Sequence, residues 1–211
     1  MPTLSEAKAT ALAQKCENYM IDSFTDYRSK IPRVIGEGMV RHNLKCRDYV
    51  RELTEPKMDR AALEIAALLH NIERAFKKND RYPQFSKLEH ETKSAEIAGD
   101  FLRKQGAPKD FIEKVKKLIK LHEKGGKGEA QVIAEADNIA FLESTLPIWF
   151  EVGLWMGQSK EELINLSYKK VESEWKAIKS KRGRELAKKY YDKWQRWLEQ
   201  KEEVIKGEQD Y

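Results

Sequence analysis

Ala66-Ala67-Leu68-Leu69-His70-Asn71-Ile72-Glu73-Arg74 decides how the chain is read. Upstream, Ala61, Ala62, Leu63 and Ile65 leave this segment almost no polar surface. A helix apolar nearly all round belongs at the centre of a fold. Its run ends in a histidine, an amide and two charges. An unpaired buried polar group costs a few kcal/mol, so a central helix delivering His70 and Asn71 must meet partners. Both come near its C-terminal end, where side chains can reach a cavity. The stretch predicts the centre of a polar, metal-binding pocket.

Composition sets the frame. The 211 residues suffice for one domain with a core, plus extra helices. Charged residues make up 36% and hydrophobic ones 40%, the balance of a soluble, surface-charged helical protein. With 11 Gly and 6 Pro, long uninterrupted helices are expected. No segment approaches the ~18 apolar residues of a membrane span. Met1 to Glu6 lacks a basic region followed by an apolar one, so a cytoplasmic protein is expected. The net charge of +5 permits anionic partners and requires none. Cys16 and Cys46, with no CxxC pair, are expected to be reduced, buried packing residues.

Outward from the opening stretch, the periodicity is helical throughout. Ser5 is placed to cap a helix to about Phe24, with Leu12, Cys16, Met20 and Ile21 on one face. Thr25 to Pro32 connects. Val34 to Leu53 carries Met39, His42, Cys46, Tyr49, Val50 and Leu53 at steps of three and four, so His42 projects from the apolar face. Asp59 or Met58 begins the central helix. Lys77 to Lys87 reads as a loop. His90 opens a helix to about Gln105, with Ser94, Ala95, Ile97, Ala98, Phe101 and Leu102 on its face, and Gly106-Ala107-Pro108 breaks it. Asp110 to Lys124 is helical, and His122 closes its apolar stripe. Gly125 to Gly128 is a flexible loop without the P-loop pattern. Glu129 to about Leu146 is helical, with Asp137 among small and apolar residues, and Pro147 interrupts. Ser159-Lys160-Glu161-Glu162 is a capping box. It opens a helix to Ile178 with Leu163, Leu166, Val171, Trp175 and Ile178 inward. Gly183 separates this from a last helix, Arg184 to about Ile205. With no strand-like alternation, the expected fold is all-α: residues 1–158 as a helical domain and 159–211 as a helical extension packed on it.

His42, His70 and His122 with Asp137 sit on or beside apolar stripes, and His90 starts a helix. Imidazole and carboxylate are common ligands of divalent metals, and burial of such groups becomes tolerable if they converge on one cation. In order, His42, His70-Asn71 and Glu135-Ala136-Asp137-Asn138 resemble the H…HD…D pattern of the HD phosphohydrolase superfamily. Leu68-Leu69-His70-Asn71-Ile72-Glu73-Arg74 is similar to the family's "LLHDIGR". His90-Glu91-Thr92-Lys93-Ser94-Ala95-Glu96-Ile97-Ala98 resembles its "H…SAEIA" segment. Ile119-Lys120-Leu121-His122 resembles a helix that carries a further histidine. The resemblance runs from about Met39 to Glu143.

It implies an all-helical HD-like bundle with additional N- and C-terminal helices. It also implies hydrolysis of a small phosphorylated substrate, above all a nucleotide, with one or two divalent ions (Mn, Mg, Co, Ni, Fe or Zn). Carried over, His42, His70 and Asp137 hold a first metal, while His90 and His122 hold a second or bind phosphate. Such an ion lowers the pKa of bound water and neutralises charge on phosphoryl oxygens.

Two positions depart from the pattern. Asn71 stands where the family has aspartate; its amide oxygen can ligate but brings no charge. Glu73 stands where glycine is frequent. Three residues after His70, it lies on the same helical side, and is read either as a replacement ligand or proton acceptor, or as a solvated charge. The catalytic candidates are therefore Asn71, Glu73 and Asp137; the metal candidates are His42, His70, Asn71, Asp137, His90 and His122. Arg74, Lys93, Lys124 and Lys127 are candidates for binding phosphate.

Two other classes stay open. One is a catalytically weak HD-like sensor of a nucleotide or other anion, favoured by Asn71. The other is an interaction module. Lys176 to Arg196 carries nine basic residues against two acids, interleaved with Tyr190, Tyr191, Trp194 and Trp197, a composition that can bind nucleic acid. An amphipathic helix that packs its aromatics on the domain accounts for the same pattern, since Leu186, Tyr190, Trp194 and Trp197 follow helical steps.

Overall fold

The computed structural model describes residues 5–26, 31–76 and 88–209. Among these, the regular structure is all helical. The order is α1 (Glu6–Thr25), α2 (Arg33–Leu53), α3 (Arg60–Leu69), a 3-10 turn (Ile72–Phe76), α4 (His90–Lys104) and α5 (Lys109–Leu121). Then come α6 (Glu129–Ala140), a π-helical turn (Phe141–Thr145), α7 (Leu146–Trp155), α8 (Lys160–Ala177) and α9 (Lys181–Gln209). No helix among the described residues is long and apolar enough to cross a membrane.

The central helix is α3. Asp59 caps it by accepting from the Ala62 N–H at 3.1 Å. Every residue from Ala62 to Leu69 is buried, and α3 packs against α1, α2, α5 and α6. The one charge in that run, Glu64, is held by Arg51 at 2.7 Å and Arg60 at 2.8 Å. Across this helix α2 packs extensively on α6, which brings the residues of His42 and Asp137 to face each other. Cys16 and Cys46 are unpaired and buried.

Several boundaries differ from the sequence reading. Ser5 is the N-cap residue of α1 by position, yet its side chain makes no capping bond. Helix α5 ends at Leu121 rather than Lys124, with His122 as its cap. Lys77 to Lys87 lies outside the described residues. Leu166, expected inward, is 37% exposed. The buried stripe of α8 runs through Leu163, Ser167, Val171 and Glu174, so two polar residues take inward places instead.

Pro147 does not break the chain. The Leu146 N–H reaches back five residues to the Phe141 carbonyl, and Pro147 stands in the first turn of α7, where no N–H is needed. In the π pattern the Leu142 carbonyl would pair with residue 147, which has no N–H. The indole of Trp194 supplies the missing donor, Nε1 to the Leu142 carbonyl at 2.6 Å. Trp194 is buried with Ala187 and Leu198, and Tyr190, Tyr191 and Trp197 pack against the same core. The aromatic face of α9 is thus engaged with the protein.

Gly183 does not separate the last two helices either; it lies inside the first turn of α9. The break is at Ile178–Ser180. There the buried Glu135 carboxylate accepts from the backbone N–H groups of Lys179 and Ser180, both at 2.7 Å, and from the Ser180 hydroxyl. Burial raises the Glu135 carboxyl, and the bonds from Ser180, Gln131 and Lys179 outweigh it, holding it below its ordinary value.

Gly→Ala within a helix ordinarily stabilises by about 0.5–1 kcal/mol. At Gly183 an added Cβ would stand 2.7 Å from Glu135 Oε2 and 2.8 Å from Ile178 Cγ2. Gly183→Ala is therefore expected to destabilise, by about 1–3 kcal/mol, read from urea unfolding. Trp194→Phe, which strands the Leu142 carbonyl, is expected to cost about 1–3 kcal/mol in the same assay.

Candidate metal centre

Two of the four histidines are C-caps. The last carbonyls of a helix have no partner within it. At the end of α3, Nδ1 of His70 bonds the Ala67 carbonyl three residues back at 2.8 Å. At the end of α5, Nδ1 of His122 bonds the Ile119 carbonyl at 2.6 Å. A carbonyl only accepts, so Nδ1 carries the proton in each ring and Nε2 keeps its lone pair for other partners. His42, in α2, has Nδ1 2.9 Å from Thr145 Oγ1 in the π turn. That hydroxyl can accept from Nδ1–H and so leave the His42 Nε2 lone pair open.

Three atoms then converge. His42 Nε2 lies 2.9 Å from Asp137 Oδ1, His70 Nε2 lies 3.2 Å from it, and the two nitrogens are 3.2 Å apart. His70 is wholly buried and His42 nearly so. Burial holds His70 below its ordinary pKa, in the neutral form that ligates. For Asp137, burial raises the carboxyl, but the adjoining His70 and His42 prevail and hold it well below the usual carboxylate range. Three such acceptors repel unless a proton or cation lies among them. Metal–nitrogen bonds of about 2.0–2.1 Å set neighbouring ligand atoms about 3.0–3.4 Å apart, close to the observed triangle. The residues present therefore fit a divalent ion.

Asn71 is oriented differently. Its Nδ2 donates toward His70 Nε2 at 2.6 Å, and its Oδ1 accepts from Arg74 Nε at 3.1 Å. The nitrogen, not the oxygen, faces the centre. Ligation by the oxygen requires the amide to rotate and give up Arg74.

Glu73 is not a solvated charge. It is buried and its Oε1 lies 2.7 Å from His90 Nδ1, while its backbone N–H reaches Ser94 Oγ at 3.3 Å. The switch from α3 to a 3-10 turn directs it to α4, so it orients His90 rather than joining the triangle. His90, His122 and Glu123 form a second group whose ligand atoms lie within 4.8 Å of one another. Ring centroids 4.8 Å apart for His70 and His122, and 5.8 Å for His122 and His90, link it to the first. Glu123 was not among the sequence candidates; its only signal was its place beside His122. Burial also lowers the His122 pKa.

A cavity of about 420 Å³ opens over the triangle. His42, Asn71, Arg74, His122 and Asp137 line one side, while Met39, Phe141, Ile148, Trp149 and Val152 give it an apolar wall. Of the four basic candidates, only Arg74 lines it; Lys93, Lys124 and Lys127 do not, and Lys170 of α8 does.

An all-helical domain with a buried histidine–aspartate centre under a cavity defines the class, and the sequence comparison agrees with it. The HD-domain profile matches residues 37–142. The chain belongs to the HD-domain family, a family of metal-dependent hydrolases. A crystal structure described as a predicted HD superfamily hydrolase from an uncultured Thermotogales bacterium shares the fold. The match covers 89% of each chain, with TM-score 0.56 and 18% identity. No curated protein sequence matches the chain.

Metal affinity falls when ligands protonate. Because burial holds His70 below its ordinary value of 6.5, the loss of Mn that comes from protonation of this ring is expected to fall below pH 6.5, in isotherms recorded across that range. Glu73→Ala is expected to leave one ion per chain at the His42–His70–Asp137 triangle, counted by elemental analysis. Loss of that ion would make Glu73 a ligand after all.

Proposed function

We propose that this protein is a divalent-metal-dependent phosphohydrolase of small phosphorylated compounds, nucleotides foremost. The observation that carries the reading is the triangle of His42 Nε2, His70 Nε2 and Asp137 Oδ1 beneath a cavity that also presents Arg74. A divalent ion, when bound, would supply Lewis acidity toward the phosphoryl group and toward water. His42, His70 and Asp137 would hold it, with Thr145 and the Ala67 carbonyl fixing the two rings. Asp137 contributes the negative charge. Arg74, its Nε tied to Asn71, offers its other donors to phosphoryl oxygens. The apolar wall gives a nucleobase or similar group a surface to pack on. His90 and His122 are the proposed holders of a second ion or of phosphate. The buried, unpaired Cys16 and Cys46 support a reducing, cytoplasmic setting.

Asn71 favours a second reading, a weakly catalytic sensor that binds an anion with little turnover. Its amide nitrogen faces the centre where a carboxylate would add charge.

A panel of phosphorylated compounds with Mn, Mg, Co, Ni or Zn separates the two. Hydrolysis is expected, reduced about 100-fold or more in His70→Ala. Asn71→Asp is expected to raise kcat about tenfold or more by restoring the missing charge. Tight nucleotide binding without turnover in the natural protein would establish the sensor instead.

A further inference from the structure

One polar pair on the cavity wall has no part in the proposed centre. Lys170 and Glu174 lie one turn apart on α8, beyond the residues 37–142 of the family match, and both line the cavity. Glu174 is only 6% exposed. Burial raises its carboxyl, and Asp137 and Glu123 act in the same direction, against the pull of Lys170. Lys170 forms an ion pair with it and holds its Nζ 4.9 Å from the centroid of the Phe141 ring, another lining residue.

This is unlike a surface helix pair, in which both charges are solvated. Here the acid is buried while the Lys170 side chain remains 45% exposed. The order is also the less favourable one for helix stability, which prefers Glu before Lys. A carboxylate removed from water is costly unless paired, so Glu174 demands a cation at this place. In return it keeps a long, flexible side chain at the cavity. An ammonium carries three donors, more than one carboxylate oxygen can accept.

We propose that Lys170 is a substrate-binding residue, the second cationic arm beside Arg74 in a phosphomonoester site, and that Glu174 is the positioning residue that holds its ammonium at the cavity. The site is thereby completed from outside the family domain. The proposal rests on the phosphohydrolase reading for its substrate class.

Loss of Lys170 removes a cation and also leaves Glu174 to repel an anion, so the test is a double-mutant cycle. Inorganic phosphate binding to the Mn-loaded full chain is measured by calorimetry in Lys170→Gln, Glu174→Gln and the double variant, with exposed Lys169→Ala as control. Lys170→Gln keeps most of the stem over Phe141, and thermal unfolding checks that each variant folds. Lys170→Gln is expected to weaken phosphate about 10- to 100-fold. The double variant is expected to regain only the part that Glu174 repulsion cost and to stay well below the natural protein. Glu174→Gln, which frees the ammonium, is expected to weaken phosphate less than Lys170→Gln does, and Lys169→Ala is expected to match the natural protein. In hydrolysis, KM is expected to rise in Lys170→Gln far more than kcat falls. Unchanged phosphate affinity in Lys170→Gln overturns the proposal, as does full recovery in the double variant, which would reduce Lys170 to a neutraliser of Glu174; unchanged affinity in Glu174→Gln overturns the positioning role of Glu174. Hydrolysis with an unchanged KM in Lys170→Gln overturns the clamp and leaves the hydrolase reading standing. The expected phosphate pattern without any turnover upholds the clamp and overturns the hydrolase reading.

Discussion

Three electron-rich atoms within 2.9–3.2 Å of one another, beneath an apolar core, set the terms for this fold. Left alone, His42 Nε2, His70 Nε2 and Asp137 Oδ1 would drive their helices apart. The packing of α2 on α6 across α3 holds them together, and a positive species among them turns repulsion into attraction. The neighbouring bonds serve the same end. The Ala67 carbonyl takes the His70 proton away from the centre, and Thr145 sits behind His42. Asp137 keeps its charge in spite of burial because the adjoining His70 and His42 hold its carboxyl well below the usual range.

How much of this could be read from residues alone depended on whether a signal was periodic. The central place of α3 was legible because Ala62 to Leu69 leave no polar stripe, and the burial of His42 and His122 followed from steps of three and four. Lys170 and Glu174 were not legible, because a Lys and a Glu four apart look the same on a solvated face as on a cavity wall. Thr145 was hidden inside a stretch that reads as ordinary helix. Glu73 was misplaced because a 3-10 turn rotates side chains by a different angle from the α-helix that the spacing assumed. Lys124 and Lys127 follow His122 closely in sequence, yet neither lines the cavity, because nearness along the chain past the end of a helix does not fix the direction of a side chain.

The π turn shows how local backbone chemistry spreads. One extra residue between α6 and α7 places Phe141 on the cavity wall, Thr145 behind His42, and Glu143 beside Tyr49 at 2.6 Å and Lys45 at 2.8 Å. The same irregularity, with Pro147 after it, leaves the Leu142 carbonyl needing a donor from elsewhere.

That donor has a consequence in time as well as in space. Chains emerge from the ribosome in order, and domains fold as their parts become available. The three ligand atoms of the triangle all lie within the first 137 residues, but the turn that backs it supplies Thr145 and takes a hydrogen bond from Trp194, and the cavity wall takes Lys170 and Glu174 from α8. Until more than fifty further residues have been made, the nascent domain carries an open centre and an unanswered carbonyl. The residues that finish the cavity wall and answer that carbonyl are thus the last of the site to be made.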